Sequence, residues 1–222
     1  MSPDQRRRSW LALAVVLSAG FAILAHAAIV EGVSPTVGAL LSLIPLTLLA
    51  LWAVRRAQRR AAVLAALAFS AAAFALWQGW SVLERHFPSL FFVEHAGTNL
   101  LLAVVFGRTL LAGREPLVAR FARIVHGSIP PEVERYTRQV TLAWTILFAT
   151  IFTLSCALYF GNFLAEWSLL ANFLNPILIG AMFLAEYAIR LRALPNWEQV
   201  GILGGIRAFT RHFGAARFEA PR

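Results

Sequence analysis

The chain has no lysine, one aspartate (Asp4) and one cysteine (Cys156) among its 222 residues. Each scarcity closes off a class of chemistry. A single cysteine inside an apolar run forms no intrachain disulfide, and it lacks the neighbours of a thiolate site. One aspartate rules out a paired-aspartate centre and an HxxxxD acyltransferase motif. No His/Cys cluster has zinc-ligand spacing, and a serine hydrolase would lack its usual sequence context. Gly201, Gly204 and Gly205 do not make a nucleotide loop, because no strand precedes them and the GxGxxG spacing is missing. Neither a metal nor a cofactor is expected.

Charge of either sign is also scarce. Charged residues make up 14% of the chain and hydrophobic ones 59%, where a soluble domain carries about 25% charged residues. The mean hydropathy is +0.67. This is the composition of a polytopic membrane protein. Spans of about 20 residues each nearly exhaust a chain of this length. The N-terminus starts basic and then apolar, as a signal peptide does. However, Ser9 to Val30 is too long for an h-region and no cleavage site follows, so a retained span or signal anchor is expected.

All of the basic charge is arginine, and it is clustered. Arg6, Arg7 and Arg8 precede the first apolar run, and Arg55, Arg56, Arg59 and Arg60 follow the second. Arg114, Arg120, Arg123, Arg135 and Arg138 lie between the fourth and fifth. Arg190, Arg192, Arg207, Arg211, Arg217 and Arg222 follow the sixth. Arginines are retained on the cytoplasmic side of short loops, so this pattern writes a topology. Only Arg85 falls in a segment facing the other way. The net charge of +9 therefore reads as orientation and attraction to anionic headgroups, and nucleic acid is not an expected partner.

The apolar runs cover about residues 9–30, 33–54, 61–83, 89–111, 140–160 and 166–189. Each can cross the hydrocarbon as a helix, and none shows the alternation of a barrel strand. The expected fold is an all-α membrane bundle over residues 1–192, with six transmembrane helices and both termini cytoplasmic. A basic amphipathic tail, residues 193–222, follows. Short outward loops are expected at 31–34, 84–88 and 161–165. Pro45 should kink the second helix. Ala61, Ala65, Ala68, Ala72, Ala75 and Gly79 form a stripe of small residues in the third run, suited to packing within the bundle or to a homo-oligomer.

The long connection 113–139 has a pattern of its own. Leu117, Val118, Phe121, Ile124 and Val125 share one helical face, with Arg114, Arg120 and Arg123 providing the basic side. An interfacial helix over about 116–126 follows, in contact with headgroups or a partner. Pro131 with Glu132 and Glu134 is a helix start. In the tail, Ile202, Leu203, Ile206, Phe209 and Phe213 oppose Arg207 and Arg211, a second interfacial pattern.

Ionisable groups in lipid are costly and usually face a partner or cavity. The densest polar group is Glu94, His95, Thr98 and Asn99 in the fourth run. Glu94 and His95 serve either as a proton-handling or ligand-binding pair or as interhelical hydrogen-bonding groups, with the weight on the second reading. His26, in the first run, is near enough to the same end to join them. Asn172, Asn175 and Pro176 interrupt the sixth run, where they line a cavity or bond neighbouring helices. Arg108 either snorkels to phosphate or pairs with Glu186, which also has Arg190 four residues on.

Several segments in order carry a resemblance: Phe92-Val93-Glu94-His95-Ala96-Gly97-Thr98-Asn99, Phe106-Gly107-Arg108-Thr109-Leu110, Gly113-Arg114-Glu115-Pro116-Leu117, residues 129–138, and Thr141-Leu142-Ala143-Trp144. Over roughly residues 85–210 the chain resembles a family of uncharacterised bacterial six-span inner-membrane proteins. These are often encoded beside fatty-acid-like or aryl-polyene synthesis genes and are sometimes labelled ketosynthase. More remotely, Leu142-Ala143-Trp144, Phe148 and Trp167 through Asn172-Phe173 are similar to the last two spans of the intracellular septation protein A family. Glu115-Pro116-Leu117 stands where that family has Lys-Pro-Leu, and Leu174 where it has a lysine. The first resemblance implies an envelope-lipid or polyene context, with acyl carrier protein as a candidate partner and no catalytic residue assigned. A ketosynthase activity is excluded, since no cysteine nucleophile with its histidines is present. The expected role is a non-catalytic accessory of synthesis or export. The alternatives are a small-solute or proton-coupled transporter, or a scaffold in envelope growth or septation.

Overall fold

Five of the helices in the computed structural model are long and apolar enough to cross a membrane: Arg8–Val30, Pro35–Arg55, Trp80–Arg108, Pro131–Phe160 and Leu164–Ala193. The structure describes residues 3–32, 34–56 and 59–195. They form α1 (Pro3–Val30), α2 (Pro35–Arg56), α3 (Arg59–Gln78), α4 (Trp80–Arg108), α5 (Leu117–His126), α6 (Pro131–Phe160), α7 (Leu164–Leu169) and α8 (Asn175–Ala193), with a π-helical turn at Leu170–Leu174. These helices are compatible with an integral membrane protein. The tail, including Arg207 and Arg211, lies outside the described residues.

The chain divides into two units, residues 1–96 with 155–176 and residues 97–154 with 177–222. In the first, Ala25 and Ala28 of α1, Ala39 and Leu41 of α2, Phe87 and Phe91 of α4 and Trp167 of α7 form one buried cluster. Alanines let α1 and α2 approach, and the large rings of α4 and α7 fill the space between. Gly38 is the tightest point. A Cβ built there would lie 2.5 Å from the Phe87 ring, so only glycine admits that ring.

The segment 84–88 departs from the sequence expectation. It was expected to be an outward loop, but it is helical, and α4 runs from Trp80 through Pro88. The division between the third and fourth helices falls instead at Gly79. Two packing interactions account for this. Phe87 is buried against α2, and Glu84 Oε1 accepts the Trp80 indole N–H at 2.9 Å and the Thr36 hydroxyl. A proline costs its helix one donor, which packing of this kind offsets. Residues 80–83, expected in the third span, thus belong to α4. The apolar part of α3, Val63–Gln78, is shorter than the other five.

The sixth run is also broken, as Asn172, Asn175 and Pro176 suggested. The Asn175 backbone N–H reaches Leu170 O, five residues back, which widens the turn. Pro176 has no N–H for the next bond, so the α-helical ladder resumes only beyond it.

In the second unit, Val133, Tyr136, Val140, Trp144 and Phe148 give α6 one buried stripe, joined by Leu194 and by Leu102, Phe106 and Met182. Trp144 stacks on Phe148, with ring centroids 5.4 Å apart, and meets Phe183 edge-on at 4.8 Å. α6 starts at Pro131 with Glu132 and Glu134 in its first turn, as expected.

Candidate functional site

The polar residues of the first unit are organised around two serines that are fully buried, Ser155 near the end of α6 and Ser168 in α7. The Trp167 indole donates to Ser155 Oγ at 2.8 Å, and His95 Nδ1 lies 3.1 Å from the same oxygen. One residue along, the Asn172 amide donates to Ser168 Oγ at 3.1 Å and to Ser168 O at 3.0 Å, while His26 Nδ1 lies 2.9 Å from Ser168 Oγ. The two arrangements match: a group that only donates, a serine hydroxyl and a histidine nitrogen. Indole and amide N–H groups occupy one lone pair of each hydroxyl, leaving its proton for an imidazole Nδ1 acceptor.

The local sequence explains why these groups meet. Trp167 and Ser168 are consecutive on α7, so they project about 100° apart and reach different neighbours. Aromatic rings close the space around the first serine. Phe92 stacks on Tyr159 at 4.1 Å, Tyr159 meets Trp167 edge-on at 5.4 Å, and Tyr159 donates its hydroxyl to Ser89 at 2.8 Å. His26 packs against the Phe173 ring at 5.6 Å.

The candidate polar residues are therefore distributed rather than gathered. His95, His26 and Asn172 take part in the serine arrangements. Glu94 is half-buried on α4, with its Oε1 buried and without a hydrogen-bond partner among the described residues. Asn175, in the widened turn, has its Oδ1 in the same condition. Thr98 and Asn99 belong to the second unit, Thr98 exposed and Asn99 only 2% exposed. Ser155, Ser168 and the bonding role of Trp167 were not found from the sequence. Their one signal is a lone serine inside an otherwise apolar run. Among the described residues, no group of three or more His, Cys, Asp or Glu side chains is placed to hold a metal ion.

The second unit carries the basic surface. α5 has no side-chain cap of its own, yet its first two N–H groups are both bonded. Leu117 N donates to Thr109 Oγ1 at 3.0 Å and Val118 N to Thr141 Oγ1 at 3.3 Å, which fastens α5 to the turn just after α4 and to α6. Gly127, at φ +79, closes the other end by donating to Arg123 O at 2.8 Å, a backbone conformation that suits glycine.

α5 seats on the protein through a small residue. Ala119 is fully buried, while Phe121 is 39% exposed, and the two point about 160° apart around the helix. α5 rests on its alanine side and turns its phenylalanine outward. Its arginines are partly engaged. Arg123 bridges Glu115 at 3.1 Å and Glu134 of α6 at 3.4 Å, and Arg120 lies 3.9 Å from Glu115. Arg114 is exposed and outside these ion pairs, and Arg120 is held only loosely at Glu115. Arg138 donates to Leu110 O at 2.9 Å.

Glu186 accepts the Tyr136 hydroxyl on its backbone O at 3.1 Å and on Oε1 at 3.3 Å, and pairs with Arg190 at 3.5 Å. Arg108 is exposed at the end of α4, and no ion pair joins it to Glu186. The Glu186 carboxylate already faces Tyr136 and Arg190, while the Arg108 side chain extends outward. No family model matches the chain, and neither a curated protein nor a solved structure matches it.

Proposed function

We propose that this chain is a six-span inner-membrane accessory protein of envelope-lipid or aryl-polyene and fatty-acid-like synthesis or export, with both termini cytoplasmic. α5 is its working surface. The observation that supports this reading is the orientation of α5. Thr109, just after α4, and Thr141 of α6 hold its start, Ala119 seats it on the protein, and Phe121 with Arg114 and Arg120 is exposed. An apolar ring beside arginines suits the boundary of a bilayer with anionic headgroups, and the same arginines suit an acidic acyl carrier protein. The resemblance over residues 85–210 supplies the pathway context, and it assigns no catalytic residue.

Deleting the gene and profiling envelope lipids and pigments under inducing conditions tests the role. Altered acyl or polyene products are expected, and an unchanged profile sinks it. Reversing charge in Arg114→Glu with Arg120→Glu should reproduce the deletion phenotype without loss of the protein from the membrane.

A second reading, a small-solute or proton-coupled transporter, is favoured by one observation: two histidines within membrane-length helices are each hydrogen-bonded to a buried serine. Flux into proteoliposomes that persists in the combined Glu94→Gln and His95→Ala variant would count against it.

A further inference from the structure

One arginine is left over from the topology. Arg85 lies outside the basic clusters, is exposed, and forms no ion pair among the described residues. Its neighbour Glu84 does not neutralise it, because that carboxylate is turned to Thr36 and Trp80.

Arg85 does not line a pocket itself, but it precedes His86 and stands one helical turn before Ser89, both of which line a groove. Ala72, Ala75 and Gly79 on one side and Leu83, Leu90 and Val93 on the other line a cleft of about 730 Å³ between α3 and α4. Its lining is almost wholly apolar. The two polar residues on it are already committed: Ser89 accepts the Tyr159 hydroxyl, and His86 Nδ1 donates to Val82 O at 2.9 Å. Small residues at 72, 75 and 79 make the cleft, since side chains of ordinary size there would fill it. The volume falls within the roughly 300–1,000 Å³ of ligand-sized sites. The occupant must be apolar along its length and anionic at the end near Arg85.

We propose that the α3–α4 groove seats one acyl chain of an anionic phospholipid, with Arg85 holding its phosphate. The charge argues for this occupant over a second copy of the chain. A homotypic helix contact would bring Arg85 toward another Arg85, or leave it unpaired at the edge of an apolar interface, whereas a phosphodiester supplies the missing anion. α4 is long and apolar enough to cross a membrane and α3 carries the apolar stretch Val63–Gln78, so with the proposed six-span topology an acyl chain enters the groove without crossing water.

The test uses the purified full chain, stripped of lipid by detergent exchange, titrated with dioleoyl phosphatidylglycerol and, separately, dioleoyl phosphatidylcholine, and read by native mass spectrometry. The wild type should retain one phosphatidylglycerol more tightly than any later one. Ala75→Phe fills the cleft and should weaken that first binding by about tenfold for both lipids, since an acyl chain's burial is lost. Arg85→Gln, an exposed substitution that leaves the fold in place, should weaken phosphatidylglycerol by about fivefold, the worth of one arginine near a phosphate. Phosphatidylcholine should be weakened less, because its own choline cation already faces the phosphate that Arg85 would hold. Equal lipid retention by wild type and Ala75→Phe overturns the proposal, as does Arg85→Gln that binds phosphatidylglycerol like wild type. Disulfide-linked dimers of Ala75→Cys that form equally well with and without saturating phosphatidylglycerol assign the groove to a second copy and also overturn it.

Discussion

The Trp167 indole N–H ends on the hydroxyl of Ser155, 2.8 Å away, with both side chains almost entirely removed from solvent. That one bond joins α7 to the end of α6 and places the serine beside His95. It has a consequence for stability that an apolar contact of the same size would lack. An indole donor left unbonded in an apolar interior costs the whole desolvation of its N–H.

Ser155→Ala should therefore destabilise the protein by about 1–2 kcal/mol, somewhat less than in water-soluble cores because the membrane-embedded unfolded state finds other partners. Ser155→Thr, which keeps the hydroxyl, should cost less unless its methyl clashes. Equilibrium unfolding in mixed micelles measures both. An alanine variant as stable as wild type would show that the bond contributes nothing.

Gly38 offers a steric test of the α2–α4 contact. Gly38→Ala places a methyl group 2.5 Å from the Phe87 ring, and overpacking of this kind costs about 1–3 kcal/mol. Phe87→Leu loses ring burial by itself, but in combination with Gly38→Ala it should recover part of the loss. A double-mutant cycle with no coupling would mean that α2 and α4 do not meet there.

The start of α5 depends on two threonines that precede and follow it in the chain. Thr109→Val and Thr141→Val each remove one acceptor from an N-terminal N–H, and loss of a cap costs about 1 kcal/mol. Hydrogen exchange at Leu117 and Val118 should accelerate by about fivefold in the single variants and more in the pair. Unchanged protection there would show that α5 is held by Ala119 packing alone.

The ion pairs of Arg123 should be weak. Its side chain is 43% exposed and that of Glu134 is 48% exposed, and exposed pairs are worth roughly 0.2–1 kcal/mol at low salt. A cycle through Arg123→Gln and Glu134→Gln should give a coupling in that range that shrinks as salt is raised to about 1 M. A coupling insensitive to salt would mean that the network is shielded from solvent.

Much of this was legible before any coordinates. The helical identity of every described apolar run follows from the cost of unbonded backbone in hydrocarbon, and the start at Pro131 from its flanking carboxylates. The helix expected at about 116–126 is Leu117–His126. One reading from local pattern did not carry over. Pro88 with its polar neighbours reads as a loop, because nothing local shows that Phe87 will pack against a glycine forty-nine positions earlier. That α5 seats on the protein through Ala119 was not readable either, because an alanine is too small to register in a hydrophobic pattern.

Composition and the spacing of arginines determined by themselves that this chain is helical and suited to a membrane, and which loops carry its charge. The reason is that both depend on transfer energies summed over each segment, with no reference to neighbours. Tertiary structure alone decided which polar groups meet. Glu94 through Asn99 look like one site along the sequence, yet His95 finds Ser155, His26 finds Ser168, and Asn99 is buried in the other unit. Hydrogen bonding selects partners over about 3 Å, and only the packing of separate helices sets distances that short.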